Sequence, residues 1–212
     1  MIKKFLCIFI LFFLSIQATF HQALVPNPIK KYEIPVVNLY PEVKELLNRV
    51  PKEQQADFVE VLKNFADARG FDWRFCLLLM WGESDINPTA SAGGFAGLIM
   101  FGYQARNLLK ISKEELLKKN HVEQAKFAVI IWEETERVLK TKIKDFQSLQ
   151  IATFMPAWVN HHGNPYPASD IVKTQNYPLC DANGQMTKES ILNIYRRKAA
   201  IIEDLAYFRN KF

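Results

Sequence analysis

The chain has 212 residues, 49% of them hydrophobic and 23% charged, which is the mix of a folded globular protein and not of a disordered tail. This length suggests one domain of about 150 residues plus extensions. Lys and Arg outnumber Asp and Glu by only 27 to 22, Lys3 and Lys4 sit at the very start, and no basic run is interleaved with aromatics, so the composition argues against nucleic-acid binding.

The chain opens MIKKFLCIFILFFLSIQATFHQA: two lysines, an apolar run from Phe5 to Leu14, then small and polar residues. The run is too short to cross a hydrocarbon core of about 30 Å as a helix, so residues 1–18 read as a secretory signal peptide with cleavage after Ala18. The competing reading is an uncleaved anchor over Ile2 to Ile16. Either reading implies export to the periplasm or cell envelope, with membrane contact only through this segment. No lipobox precedes Cys7. Its removal leaves Cys76 and Cys180, which could pair in an oxidising compartment; Cys76, set among Phe75, Leu77 and Leu78, could equally be a small core residue, and the bridge is left open.

Residues 19–40 contain Pro26, Pro28 and Pro35 and no helical period, so they read as an extended arm ahead of a folded domain over 41–212. Phe58, Val61, Leu62 and Phe65 recur at helical spacing within 52–69, with Gly70 as the C-terminal cap. Asp72 is then expected to cap Trp73 to Gly82, which is apolar on every side and must therefore be enclosed as the central helix. A short helix is predicted over 102–109, and Ser112 with Glu115 forms a capping box for another. His121 to Ile143 is predicted as a long helix, with Phe127, Ile130, Ile131, Val138 and Leu139 on its apolar face and Glu133, Glu136 and Arg137 opposite. A further helix over 146–158 should end near Pro156. Residues 160–186 read as a structured loop, after which Thr187 caps a last helix whose apolar side carries Ile191 and Ile194. The expected fold is mainly α, with a buried central helix and at most short strands in its loops.

Glu83 ends the enclosed helix with Leu79 and Met80 one turn back on its own face. Such neighbours disfavour the charged carboxylate and are expected to raise its pKa. A carboxyl that stays protonated near neutral pH can give its proton to a departing glycosidic oxygen. The plain alternative is a glutamate frayed into solvent or capping a nearby backbone. Gly93, Gly94 and Gly97 follow at once, permitting positive φ and close backbone approach to a ligand, while Ser91 and the loop amides offer donors that suit a sugar chain.

The stretch E-S-x-x-N-P-x-A-S-x-x-G-x-x-G-L, Glu83 through Leu98, resembles the signature of the lytic transglycosylase family related to goose-type lysozyme. The resemblance is strongest over Asp72 to Leu109 and fainter beyond. It implies a lysozyme-like helical fold, peptidoglycan glycan strands as substrate, and cleavage of the β-1,4 bond between N-acetylmuramic acid and N-acetylglucosamine. Glu83 would act as acid and then base, while the muramyl 6-hydroxyl closes onto C1 to leave a 1,6-anhydro product. Ser84, Ser91 and the backbone around Gly97 and Leu98 would hold the glycan. No cofactor and no metal are implied, and a monomer is expected. Asp85 would point to the other side if the helix continued, and Asp170, Asp181 and Glu189 are too far along the chain to be judged, so hydrolysis stays open.

Two positions depart from the family pattern. Met100 stands where the family has a glutamine, and thioether sulfur accepts only weakly and donates nothing. The family's later Tyr-Asn-Ala-Gly stretch, whose tyrosine orients the glutamate, corresponds to Phe154-Met155-Pro156-Ala157, with Met155 taken as the replacement and the hydroxyl lost. Tyr166, Tyr177 or Tyr103 are candidates to orient Glu83 instead; the alternative is a catalytically weakened protein that binds the wall. Gln175 and Asn176 are weaker candidates for the far wall of a cleft. Tyr166, Trp81, Trp132 and Trp158 could stack on sugars, although apolar surroundings assign Trp81 and Trp132 to the core. His161-His162 lacks any metal-ligand spacing, and Asp181-Ala-Asn-Gly fails the calcium-loop pattern and reads as a tight turn. The charge runs at 113–119 and 133–137 read as solvated helix faces.

Overall fold

The computed structural model describes residues 41–154, 156 and 180–193. Of these, 61% are helical and 4% are in strands, so the core is made by helices packing on helices and the fold is mainly α. The helices are α1 (Pro41–Leu47), α2 (Lys52–Asp67), α3 (Arg74–Ser84), α4 (Tyr103–Leu109), α5 (Lys113–Leu116), α6 (His121–Leu139) and α7 (Phe146–Phe154). Residues 188–193 are helical as well. A two-stranded antiparallel hairpin, β1 (Ser91–Ala92) and β2 (Phe95–Ala96), lies between α3 and α4.

The apolar run predicts α3 well. Cys76, Leu77, Leu78, Leu79, Met80 and Trp81 are all buried in succession, and α1, α2 and α7 pack around them. Truncating one of these leucines to alanine would cost about 2–5 kcal/mol, because the enclosing helices cannot collapse into the gap. Asp72 does not cap the helix as expected: the cap position falls on Trp73, which makes no side-chain cap bond, while the Asp72 carboxylate one residue earlier accepts the Arg74 amide at 3.0 Å and pairs with the Arg74 guanidinium at 2.5 Å. Cys76 is a free thiol enclosed in the core, and burial pushes it far above its ordinary range.

Helix α2 buries Phe58, Val59, Leu62, Phe65 and Ala66 against α6. After it Gly70 takes φ +74°, and the Phe71 amide reaches the Ala66 carbonyl at 3.2 Å, so the predicted glycine stop is present. Helix α1 is not anticipated by periodicity. It starts at Pro41, a residue suited to a first helical turn, and Gln55 of α2 closes its far end by donating to the Leu47 and Val50 carbonyls at 2.9 and 3.0 Å.

Helix α6 differs from expectation in length and in its buried face. It stops at Leu139, where Lys140 turns left-handed at φ 49°, and does not run on to Ile143. The inward stripe is His121, Gln124, Ala125, Ala128, Ile131, Trp132 and Thr135, so Phe127, Ile130, Val138 and Leu139 are only half-buried. Alanines let α2 approach closely, and the polar members can be buried because each has a partner. Glu136 is likewise not on a solvated face. Its carboxylate is paired in two places with Arg69, at 2.8 and 2.5 Å, and accepts the Ile143 amide at 2.8 Å. Arg69 also lies over the Phe65 ring, 3.9 Å from its centre.

The capping boxes differ in how readable they were. Ser112 with Glu115 is present as predicted, whereas the pair Asn120 and Glu123, which starts α6, was not anticipated. Helix α7 ends at Phe154, before Pro156, and Trp132 donates from Nε1 to Thr153 at 2.8 Å while its ring is fully buried beside Phe65. Trp81 and Trp132 are thus core residues. Asp181 accepts the Asn183 and Gln185 amides at 2.9 Å each, making the predicted tight turn, and Thr187 accepts the Ser190 amide at 2.9 Å as the last helix starts. Within the described residues no helix is long and apolar enough to cross a membrane.

Candidate functional site

Glu83 sits in the last turn of α3, half-buried, with Leu79 and Met80 fully enclosed one turn below it. The helix stops at Ser84 because the next two residues are left-handed, Asp85 at φ 60° and Ile86 at φ 57°. Asp85 therefore does not continue the helix; it lies at the surface, 67% exposed, and meets Arg49 at 3.2 Å. A β-branched residue at positive φ is disfavoured by roughly 1–2 kcal/mol. Here Ile86 is held by burial, 1% exposed, and its carbonyl is bonded to His121 Nε2 at 3.1 Å. Burial holds the His121 imidazole below its ordinary value of 6.5, against the opposing effect of the Ile86 and Arg49 backbone groups.

From Asn87 the chain makes a compact loop. Asn87 Oδ1 accepts the Thr89 amide and hydroxyl at 2.9 and 2.8 Å, a local turn that asparagine side chains favour. The hairpin then pairs Ser91 with Ala96 and Ala92 with Phe95, leaving Gly93 and Gly94 as its two-residue tip, with Gly93 at φ +55°. A second turn follows at once: Ala96 pairs with Phe101, the Met100 amide donates to the Gly97 carbonyl at 3.0 Å, and Met100 itself is left-handed at φ 51°.

Two side chains lock this loop in place. The Ser84 hydroxyl, next to Glu83, reaches the Leu98 carbonyl at 2.8 Å and the Met80 carbonyl at 3.1 Å, joining the end of α3 to the second turn. Gln124 of α6, fully buried, accepts the Leu98 amide at 2.9 Å through Oε1. The two hydrogens of its Nε2 are shared among the carbonyls of Pro88, Leu116 and Lys119, at 2.8, 2.9 and 3.1 Å. Those partners fix which end of the amide is oxygen, since only that orientation satisfies all four. Gly97 must be glycine: at φ +77° its backbone passes so close that a Cβ would collide with Gln124 Oε1 and stand 3.2 Å from the Phe101 ring.

The residues expected to contact glycan therefore fall into two groups. Glu83, Ser84, Ser91, Gly97, Leu98 and Met100 are brought onto one helix end and one hairpin. Within that group, three of the donors expected to hold sugar, those of Ser84, Gly97 and Leu98, already have internal partners. The only hydroxyl proton of Ser84 faces two carbonyls, the Gly97 amide donates to the Ala90 carbonyl at 2.8 Å, and the Leu98 amide is held by Gln124. Leu98 is fully buried, Met100 is half-buried and Ser91 is exposed. Met155, Tyr166, Gln175 and Asn176 lie outside the described residues, as do Tyr177, Trp158, Asp170 and His161-His162. Phe154, which precedes Met155, is the half-buried last residue of α7. Tyr103, a candidate to orient Glu83, is the first residue of α4 and 70% exposed.

Gln124 is the residue that sequence reasoning missed. A polar side chain in the inward stripe of an otherwise apolar helix is the available signal, because such a group has to find partners where it is buried. What the arrangement can do chemically follows from its parts: a half-buried glutamate in the last turn of an enclosed helix, next to the serine that ties that helix to a glycine-containing hairpin. Among the described residues no three His, Cys, Asp or Glu side chains converge to hold a metal ion. Comparison of the chain with protein-family models, curated proteins and solved structures finds no match in any of the three.

Proposed function

We propose that this chain is a peptidoglycan lytic transglycosylase working in the cell envelope after export. The observation that supports the reading is the joining of the Glu83 helix end to a glycine hairpin through the Ser84 hydroxyl, which draws the two ends of the stretch Glu83 to Leu98 together. In the reaction the Glu83 carboxyl gives its proton to the bridging oxygen as the C1–O bond breaks. The resulting carboxylate then takes the proton of the muramyl 6-hydroxyl as that oxygen bonds to C1, so no water is consumed.

A second reading is favoured by one feature. Because the Ser84, Gly97 and Leu98 donors are engaged within the protein, the site has fewer groups for sugar than expected, which fits a wall-binding protein with weak or no turnover. Digestion of purified peptidoglycan followed by mass spectrometry separates the readings: 1,6-anhydro ends support the transglycosylase, reducing ends a lysozyme, and intact glycan with retained binding a scaffold. Glu83→Gln keeps the shape and removes the titrating proton, so it should abolish cleavage and retain binding. Full activity in that variant would refute the assignment.

A further inference from the structure

Among the described residues, the exposed large hydrophobic side chains are Phe95 and Tyr103, at 53% and 70% exposure, and both belong to the hairpin region that Ser84 ties to α3. Phe95 lies in β2, and its ring rests on Gly102, where a Cβ would meet its Cε1 at 3.2 Å. Tyr103 is the next residue, the first of α4. An aromatic ring laid on glycine backbone in this way is restrained before any ligand arrives, and an exposed aromatic pair on a rigid support presents flat apolar faces within polar surroundings.

Two cations are bonded to the backbone of the hairpin and the turn that follows it. Arg106, almost fully buried, donates from Nη1 to the Gly94 and Phe101 carbonyls at 2.8 and 2.6 Å, and Lys113 Nζ donates to the Gly93 carbonyl at 2.9 Å. Neither cation is ion-paired with a carboxylate among the described residues. Carbonyl oxygens satisfy the N–H groups but do not neutralise the charge, so two unneutralised cations stand at the hairpin, with Glu114 and Glu115 following Lys113 along its helix.

We propose that Phe95 and Tyr103, backed by Arg106 and Lys113, form a docking platform for an acidic saccharide, a sugar face lying on the rings and an attached carboxylate near the cations. The inference rests on the proposed peptidoglycan reading for its substrate class and adds which side chains receive the strand and that its carboxylates are sensed. The test uses the full chain carrying Glu83→Gln, titrated calorimetrically with two probes: a neutral N-acetylglucosamine hexasaccharide and a disaccharide-peptide with free carboxylates. The acidic probe should bind more tightly. Adding Phe95→Leu or Tyr103→Ala should weaken both probes by about 3- to 10-fold, while Lys113→Gln or added salt should remove only the advantage of the acidic one. Circular dichroism confirms that each variant is folded, and Phe95→Leu retains apolar bulk while losing the ring. Unchanged affinities in both aromatic variants would overturn the platform, as would sedimentation showing a dimer that Tyr103→Ala dissociates, which would make a second copy the occupant. Binding by this platform without cleavage by the unsubstituted chain would sink the catalytic reading alone. Cleavage with a KM unmoved by the aromatic substitutions would sink the platform alone.

Discussion

Replacing Gln124 with leucine tests whether a single buried amide holds the hairpin. Leucine has similar bulk, so the change removes polar partners without leaving a large void. The Leu98 amide then has no acceptor in a buried setting, at about 1–3 kcal/mol. Leu116 O keeps the Lys119 amide as a partner, but Pro88 O and Lys119 O lose the bond from Nε2, at about 0.5–1.5 kcal/mol each. Together these give about 2–6 kcal/mol, a fall in Tm on the order of 10 °C for a chain of this size. Thermal melts followed by circular dichroism measure it. Gln124→Glu sharpens the test, because the oxygen replacing Nε2 would face three carbonyls and must be protonated to donate. The folded-state pKa of that new carboxyl is therefore raised above its ordinary value of about 4.3, the folded state binds the extra proton, and the deficit relative to Gln124 should grow as pH rises from about 4.3 to 7. A leucine variant melting within about 2 °C of the parent, or a glutamate variant whose deficit ignores pH, would refute the proposed role of this side chain.

Three other changes probe the same region and its support. Gly97→Ala should destabilise by several kcal/mol in urea titrations, since it adds the left-handed penalty of about 1–2 kcal/mol to a collision with Gln124, whereas Gly93→Ala, with open space around it, should cost only about 1 kcal/mol. His121 is held below 6.5 by burial, so its neutral form contributes stability that is complete above pH 6.5 and declines as pH falls toward the lowered folded value; melts across this range should show the loss, and His121→Asn should flatten it. Arg69→Met leaves the Glu136 carboxylate, 12% exposed, without its cation and should cost about 3–5 kcal/mol, while Arg69→Met combined with Glu136→Leu should recover much of that in a double-mutant cycle.

What could be read from the sequence was decided by distance along the chain. The caps of Ser112 and Thr187 lie within three residues of what they bond, and the enclosure of α3 follows from its own composition, so each was predictable locally. Ser84 was recognisable as part of the site but was assigned to sugar, because its true partner, the Leu98 carbonyl, lies across a loop. Glu136 looked like one charge in a solvated run, since Arg69 approaches it from another helix. The face of α6 was misjudged for a related reason: hydrophobicity placed Phe127 and Ile130 inward, while close approach selects alanine, and partnered polar groups can be buried. Helix α1 is too short for periodicity to reveal.

The bond from Leu98 to Gln124 spans 26 residues of sequence, which bears on the order in which the molecule assembles. Gly97 and Leu98 cannot settle until α6 has formed and docked, so the loop that shapes the surroundings of Glu83 is among the late events of folding and carries little of the nucleus. By the same token the Leu98 amide should exchange its hydrogen only when α6 lifts away, making that one proton a reporter for breathing of the helix beneath it.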